Sequence, residues 1–298
     1  MKAFLTLLAM EFVFALSLHA QTYSWRQSEH ALALLNGRNV VWQIDADPAQ
    51  GKPYFHPLAT PSGMVLTDLR PQDHPWHRGL WFSWKYINGL NYWEEDPQTR
   101  RSDAATELVE SNLLPHKDGS AELTFSLSYH PWNAPAVLTE QRTIEISAPT
   151  NGRYQINWTS EFTAVTNVNL TRTPLPGEPD GKSYGGYAGL SLRLNKAMGS
   201  WTFSNSSGAT DVAALHGKPA DWLKASAGAN LPAVTILDDA QNFRHASPWY
   251  VNQEMPFFSP ALLFTKSLTL SPGEKLVLRY KILITDHDTQ DQALQGPL

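Results

Sequence analysis

Two-residue alternation of apolar and polar positions runs through most of this chain, and helical periodicity is scarce. The clearest case is Glu122–Tyr129, where Leu123, Phe125, Leu127 and Tyr129 alternate with Glu122, Thr124, Ser126 and Ser128. Side chains point to opposite faces along a pleated strand, so this pattern predicts an antiparallel strand with one face on a core and one in water. Further strands are predicted near Glu107–Leu113, before the turn Asp118-Gly119, and at Val137–Ile146 and Tyr154–Phe162 on either side of Asn151-Gly152. Ala31–Leu35 and Val40–Ile44 form an opening hairpin around Asn36-Gly37-Arg38. Leu80–Tyr86, Leu190–Leu194, Trp201–Ser204, Val234–Leu237, Leu262–Thr269 and Leu276–Ile284 complete the set, with turns at Asn88-Gly89 and Ser271-Pro272-Gly273. Pro174–Tyr187 is too rich in proline and glycine for a regular element, yet the strand pattern resumes directly after it. It reads as a long loop over one domain, of the kind that borders a site. Many strands separated by turn signals predict an all-β fold, a large antiparallel β-sandwich formed by residues 21–298 as a single domain.

Composition narrows the classes. Lys2, an apolar run from Ala3 to Leu18 and the small Ala20 have the layout of a secretory signal peptide over residues 1–20, although Glu11 interrupts the run and Leu18 is large for its place. A periplasmic or secreted location follows. No later segment has the ~18 uncharged apolar residues that a spanning helix needs, so no membrane span is predicted in the mature chain. Cysteine is absent, which excludes disulfides, thiolate nucleophiles and thiolate metal sites and leaves stability to a hydrophobic core. The net charge of −5 and the lack of any lysine or arginine run argue against a nucleic-acid partner. Abundant aromatics with modest charge fit a small-molecule carbohydrate or other neutral polar ligand. Nothing in the sequence sets an oligomeric state.

Candidate chemistry gathers in Pro53–Glu94, which holds three of the ten histidines and four of the eleven tryptophans. His74 and His77 are three apart around Pro75, which disfavours a regular strand, so a loop could turn both imidazoles inward. Imidazole and carboxylate suit proton transfer near neutral pH, with Asp73 orienting a histidine and Glu94 or Glu254 as partner base. The alternative is that Asp73 and Arg78 brace a tight loop. His56, His74, His77 and Asp73 also supply donors suited to a divalent metal, although their spacing is not diagnostic; no other cofactor is expected. Trp81, Trp84, Trp93 and Trp249 could stack on pyranose rings or simply fill the core. Asn88 stands at a turn among these residues. Arg78, Arg244 and His245 could bind a sugar carboxylate or make structural salt bridges. Asn242 and Arg244 are expected to converge with His77.

The run HPLATPSG…DHPWHRGLWF…NGLNYWE resembles the bacterial PmoA-like family, a domain of unknown function, and the resemblance continues at Tyr184–Leu194, Asp239–Val251 and the closing SPGEKLVLRYKILI. It implies an exported protein among carbohydrate-utilisation functions. A link to methane oxidation does not carry over, because a membrane subunit would need several apolar spans. The strand pattern is also similar to the galactose-mutarotase-like supersandwiches, an architectural likeness only. The family motif commonly has histidine where this chain has Trp76, which puts any three-histidine function in doubt. The reading is an exported protein acting on a sugar or sugar acid by isomerisation, elimination or hydrolysis, the alternative being a carbohydrate-binding protein that turns nothing over.

Overall fold

The structure is a computed structural model that describes residues 23–288. The expected signal peptide lies outside them. Nearly every element is a strand, and the few helical pieces, such as Val212–Leu215, are single turns. All strand pairs in the sheets are antiparallel, as the alternation predicts.

Two eight-stranded sheets face each other. The long-strand sheet is built around Arg153–Ala164, which pairs with Leu138–Ile146 on one side and Lys275–Thr285 on the other. Ala121–Pro131 and Ala104–Pro115 extend it to one edge. Its strands bury alternate residues, Leu123, Phe125, Leu127 and Tyr129 among them, and leave the others to solvent.

The second sheet carries the site. Its order is Tyr23–Gln27, Ala31–Asn36, Asn39–Asp45, Tyr54–Leu58, Leu80–Ser83, Gly189–Arg193, Phe257–Pro260 and Trp249–Asn252. Phe55, Leu80, Phe82, Leu190, Leu192 and Phe258 point into the core shared with the long-strand sheet. Rings meet there across the layers: Phe82 lies 5.2 Å from Phe162, and Phe55 6.5 Å from Trp158. The intervening residues Tyr54, Trp81, Tyr250 and Phe257 belong to a second apolar cluster, with Trp93, Tyr187 and Phe264. Period-two geometry places this cluster on the opposite face of the same sheet. Loops cover that face, so Leu80–Ser83, Gly189–Arg193 and Phe257–Pro260 are buried throughout.

Two predicted strands are corrected. Leu80–Tyr86 is not continuous: the strand ends at Ser83, whose hydroxyl donates to the carbonyls of Trp84 and Tyr92, and Tyr86–Ile87 joins a separate four-stranded sheet. Leu262–Thr269 is mostly turn, because the strand lies earlier, at Phe257–Pro260, and only Leu268–Leu270 pairs, with Val168–Thr171. Among the described residues no helix is long and apolar enough to cross a membrane.

Candidate functional site

The covered face of the second sheet holds a cavity of about 680 Å³, within the range of small-molecule pockets. Loops build it around the ends of the central strands. The first runs from Leu69 to Arg78, which bridge each other across its neck, while the amide of Arg70 donates to the His77 carbonyl. Inside this neck the amide of His74 donates to Pro71 and that of His77 to His74, two successive turns. Residues three apart in a turn fall on one side, and both imidazoles line the cavity. Their rings stack at 4.7 Å and 26°, and Phe257 stacks on the other face of His77 at 5.2 Å. Trp81 lies beneath at 5.1 Å from His77, and Trp93 stands edge-on at 6.2 Å.

His77 is 3% exposed and its Nδ1 is buried without a partner. Burial, then the neighbouring His74 and Arg193, hold its pKa well below the usual imidazole value against the pull of Asp73. It is a neutral imidazole under ordinary conditions. His74 Nδ1 lies 3.2 Å from Asp73 Oδ2, an ion-pair contact not aligned as a hydrogen bond. Arg193, not Arg78, is the partner of Asp73: its Nη2 donates to both carboxylate oxygens at 3.0 and 2.9 Å. Burial raises the Asp73 carboxyl, but the Arg193 hydrogen bonds and charge outweigh it and leave the group below its normal value.

The second loop supplies Trp93 and Glu94. Asn91 Oδ1 accepts from both of their amides and fixes the bend. Glu94 pairs with the Lys85 ammonium and accepts from the Tyr187 hydroxyl at 2.6 Å. Burial works against its ionisation, yet Lys85, aided by Tyr187, lowers its pKa overall. Burial and the Glu94 charge push the Tyr187 phenol up, so the proton stays on tyrosine. Glu95 points the other way. It binds Arg78 Nη2 at 2.5 Å and Arg70 Nη1 at 2.9 Å, with the Lys52 ammonium at 3.9 Å. This buried cluster braces the first two loops against each other; Arg70 also donates to the Pro75 carbonyl.

The Pro174–Tyr187 loop forms a lip, as its composition led us to expect, and brings Tyr184 and Tyr187 to the cavity. At its base Arg172 grips both oxygens of Glu178, which also accepts from the Leu175 amide. The last wall is a turn in which Asn252 Oδ1 accepts from the Met255 amide; it presents Glu254, and Lys196 lies on the same rim. Neither Glu254 nor Lys196 has an ion-pair partner among the described residues.

Of the residues predicted from sequence, Asp73, His74, His77, Glu94 and Trp93 meet at this cavity, and Glu254 with them. The others do not line it. His56 Nδ1 sits 3.0 Å from the Thr67 hydroxyl, Trp81 is one layer below the floor, and Arg78 serves Glu95 and the carbonyls of Gln50 and Lys52. Asn88 clasps Asn167 and Asn169 in the small sheet. Trp249 is core, donating to the Ala220 carbonyl. The expected convergence of Asn242 and Arg244 with His77 does not occur at the cavity. Asn242 bonds Asp238 and the Arg279 backbone, Arg244 ties down the carbonyls of Lys266 and Ser267, and His245 lies between Asp221 and Asp238. That segment instead leads into Trp249–Asn252, whose Tyr250 and Asn252 do reach the site. Among the described residues no three histidine or acidic side chains are placed to hold a metal ion, and His56 does not line the cavity that holds His74, His77 and Asp73.

Residues 32–296 match the sequence profile of a family described as "Family of unknown function (DUF6807)". No curated protein matches the chain. Among solved structures, the α-galactosidase from Lactobacillus brevis is 10% identical at TM-score 0.45, with 90% of this chain and 40% of that one covered. A polysaccharide lyase is 10% identical at TM-score 0.32, with 89% of this chain and 32% of that one covered. A galactose mutarotase related enzyme from Lactobacillus acidophilus is 10% identical at TM-score 0.31, with 91% and 99% covered. This chain thus spans less than half of the galactosidase and lyase chains. At TM-scores below 0.5 these likenesses carry no argument about ligand or activity.

Proposed function

The chain belongs to the DUF6807 family of unknown function, and we propose that it takes a sugar or sugar acid into the cavity and transfers a proton within it through the His74–His77 pair. One observation carries this reading: the cavity couples an aromatic floor of Trp93, Tyr187, Tyr250 and Phe257 to imidazoles and carboxylates that converge from separate loops. Rigid aromatic faces suit the apolar face of a pyranose, and polar groups around them suit its hydroxyls. A neutral imidazole keeps one N–H as a donor and leaves its other ring nitrogen free to accept a proton, so the pair can pass a proton without a net charge at rest.

Asp73 and Glu94 take a narrower role in this proposal than acid/base chemistry in general. Each is kept ionised by a cation, Arg193 or Lys85, so each accepts hydrogen bonds and neither delivers a proton near neutral pH. Glu254, unpaired on the rim, is the carboxylate left to act as the histidines' partner. The same pairing of Asp73 and Glu94 favours a second reading, a protein that binds its sugar and leaves it unchanged. The finer PmoA-like naming and export after Ala20 belong to this proposal too; N-terminal sequencing of protein recovered from the periplasm or medium should begin at Gln21.

The test is a thermal-shift screen of the whole chain against neutral and acidic mono- and oligosaccharides, since a ligand that binds the native state raises Tm by mass action. A sugar that shifts Tm in the parent and not in Trp93→Ala supports the reading. No shift with any sugar at millimolar concentration overturns it. With the ligand in hand, His77→Ala separates the two readings: an enzyme loses turnover far more than affinity, a binder affinity alone.

A further inference from the structure

Arg193 took no part in the reading of the sequence beyond its place in an alternating strand, yet it is the most unusual side chain beneath the cavity. It is 1% exposed, and its Nε and Nη1 are buried without partners. Only Nη2 is engaged, with both oxygens of Asp73. A buried arginine that contributes only stability is normally hydrogen-bonded all round, because each unmet donor costs free energy. Its backbone is held in mid-sheet: the amide donates to Gly79 and the carbonyl accepts from Asp68. The rigid partner is therefore the arginine, and what it immobilises is Asp73, whose side chain is 45% exposed and lines the cavity wall.

Asp73 in turn faces one ring nitrogen. A carboxylate held ionised only accepts, so the His74 nitrogen beside it, Nδ1 at 3.2 Å, is the one that carries hydrogen. The two atoms are within hydrogen-bond distance though not aligned as a hydrogen bond. Stacking on His77 at 4.7 Å and edge contact with Trp76 at 5.4 Å limit how far the ring can turn. We propose that Arg193 is a positioning residue: through Asp73 it selects the Nδ1–H tautomer of His74, so that Nε2 is the atom His74 offers to the ligand. The proposal rests on the acid–base reading above and adds the direction of the step. The ligand O–H bond breaks, the proton moves to His74 Nε2, and the electron pair stays on the ligand oxygen. Asp73 compensates the imidazolium that forms.

The experiment needs no ligand, so its failure and that of the sugar reading are distinguishable. Full-length protein labelled with ¹⁵N at histidine is examined by NMR near pH 7.5, with His74 assigned by the peaks lost in His74→Gln. The expected pattern is a protonated Nδ1 and an unprotonated Nε2 at His74. Asp73→Asn, at a side chain nearly half exposed, should lose that pattern, and Arg193→Met should move the His74 signals in the same direction. Arg193→Lys, which keeps the charge but not the two-oxygen grip, should move them part of the way. An Nε2–H tautomer in the parent overturns the proposal, as do His74 signals in Asp73→Asn that overlay those of the parent. So does collapse of both Arg193 variants by circular dichroism, which would mark the arginine as structural.

Discussion

Buried charges surround the cavity, and their effects separate by what each removal strands. Lys52 is buried with its ammonium on the Trp93 carbonyl; burial and then Arg78 lower its pKa to about 7, although Glu95 and Glu94 pull the other way. Glu95 retains Arg78 and Arg70 without it. Lys52→Met should therefore leave stability at pH 7 unchanged or raise it by about 1 kcal/mol, as replacing buried ions with apolar groups often does. Glu95→Gln leaves Arg78 buried and uncompensated and should cost about 3–5 kcal/mol in urea unfolding. His77 gives a pH dependence. The unfolded chain takes up a proton at this residue near pH 6.5, and the folded chain only at lower pH. Its contribution is complete above about pH 6.5 and declines as pH falls toward the folded value, by up to about 1.4 kcal/mol per pH unit. His56, lowered by burial, acts in the same direction. His77→Phe should flatten the decline in urea midpoint between about pH 6.5 and 5, above the range where Asp73, Glu94 and Glu95 protonate. Of these groups, the histidines and Glu94 were legible from residue type and crowding. Arg193 and Glu95 were not, because a charge alternating with leucines, or beside another glutamate, reads as a solvated face until a loop is known to cover it.

Single strands show the same limit. Glu122–Tyr129 was readable because water wets one face, so burial writes itself into the sequence as alternation. Tyr54–Leu58, Trp249–Asn252 and Phe257–Pro260 are covered on both faces, lack that signature, and went unseen or misplaced. The site stands on those strands, so its outline was visible only through the loops: Pro53–Glu94 by its histidines and tryptophans, and Pro174–Tyr187 by its glycines and prolines. Gly79 links loop to strand. Its φ is +70°, and a Cβ there would sit 2.3 Å from the Phe55 carbonyl oxygen in the neighbouring strand. Gly79→Ala should cost at least about 2 kcal/mol by denaturant titration, combining left-handed strain with a backbone clash.

Across the whole molecule, the two large sheets divide the work. The long-strand sheet supplies the inner wall, and Phe162 lies within 5.2 Å of both Phe82 and Trp84. Phe162→Ala should cost about 3–5 kcal/mol in chemical unfolding through the void it leaves. It should also weaken binding of any sugar found by the screen, because Phe82 neighbours Trp81 beneath the cavity floor. The Arg172–Glu178 grip has a different consequence, for how such a protein diversifies. It fixes the outgoing limb of the Pro174–Tyr187 loop, while the Gly186 amide closes the root on the Thr173 carbonyl, so the segment between those ties can change in length while the hydrogen-bonded strand that follows keeps its register. Relatives with longer or shorter tips would then differ in which guest fits under the lip while sharing one unaltered scaffold, and transplanting a tip alone would be the economical way to retarget it.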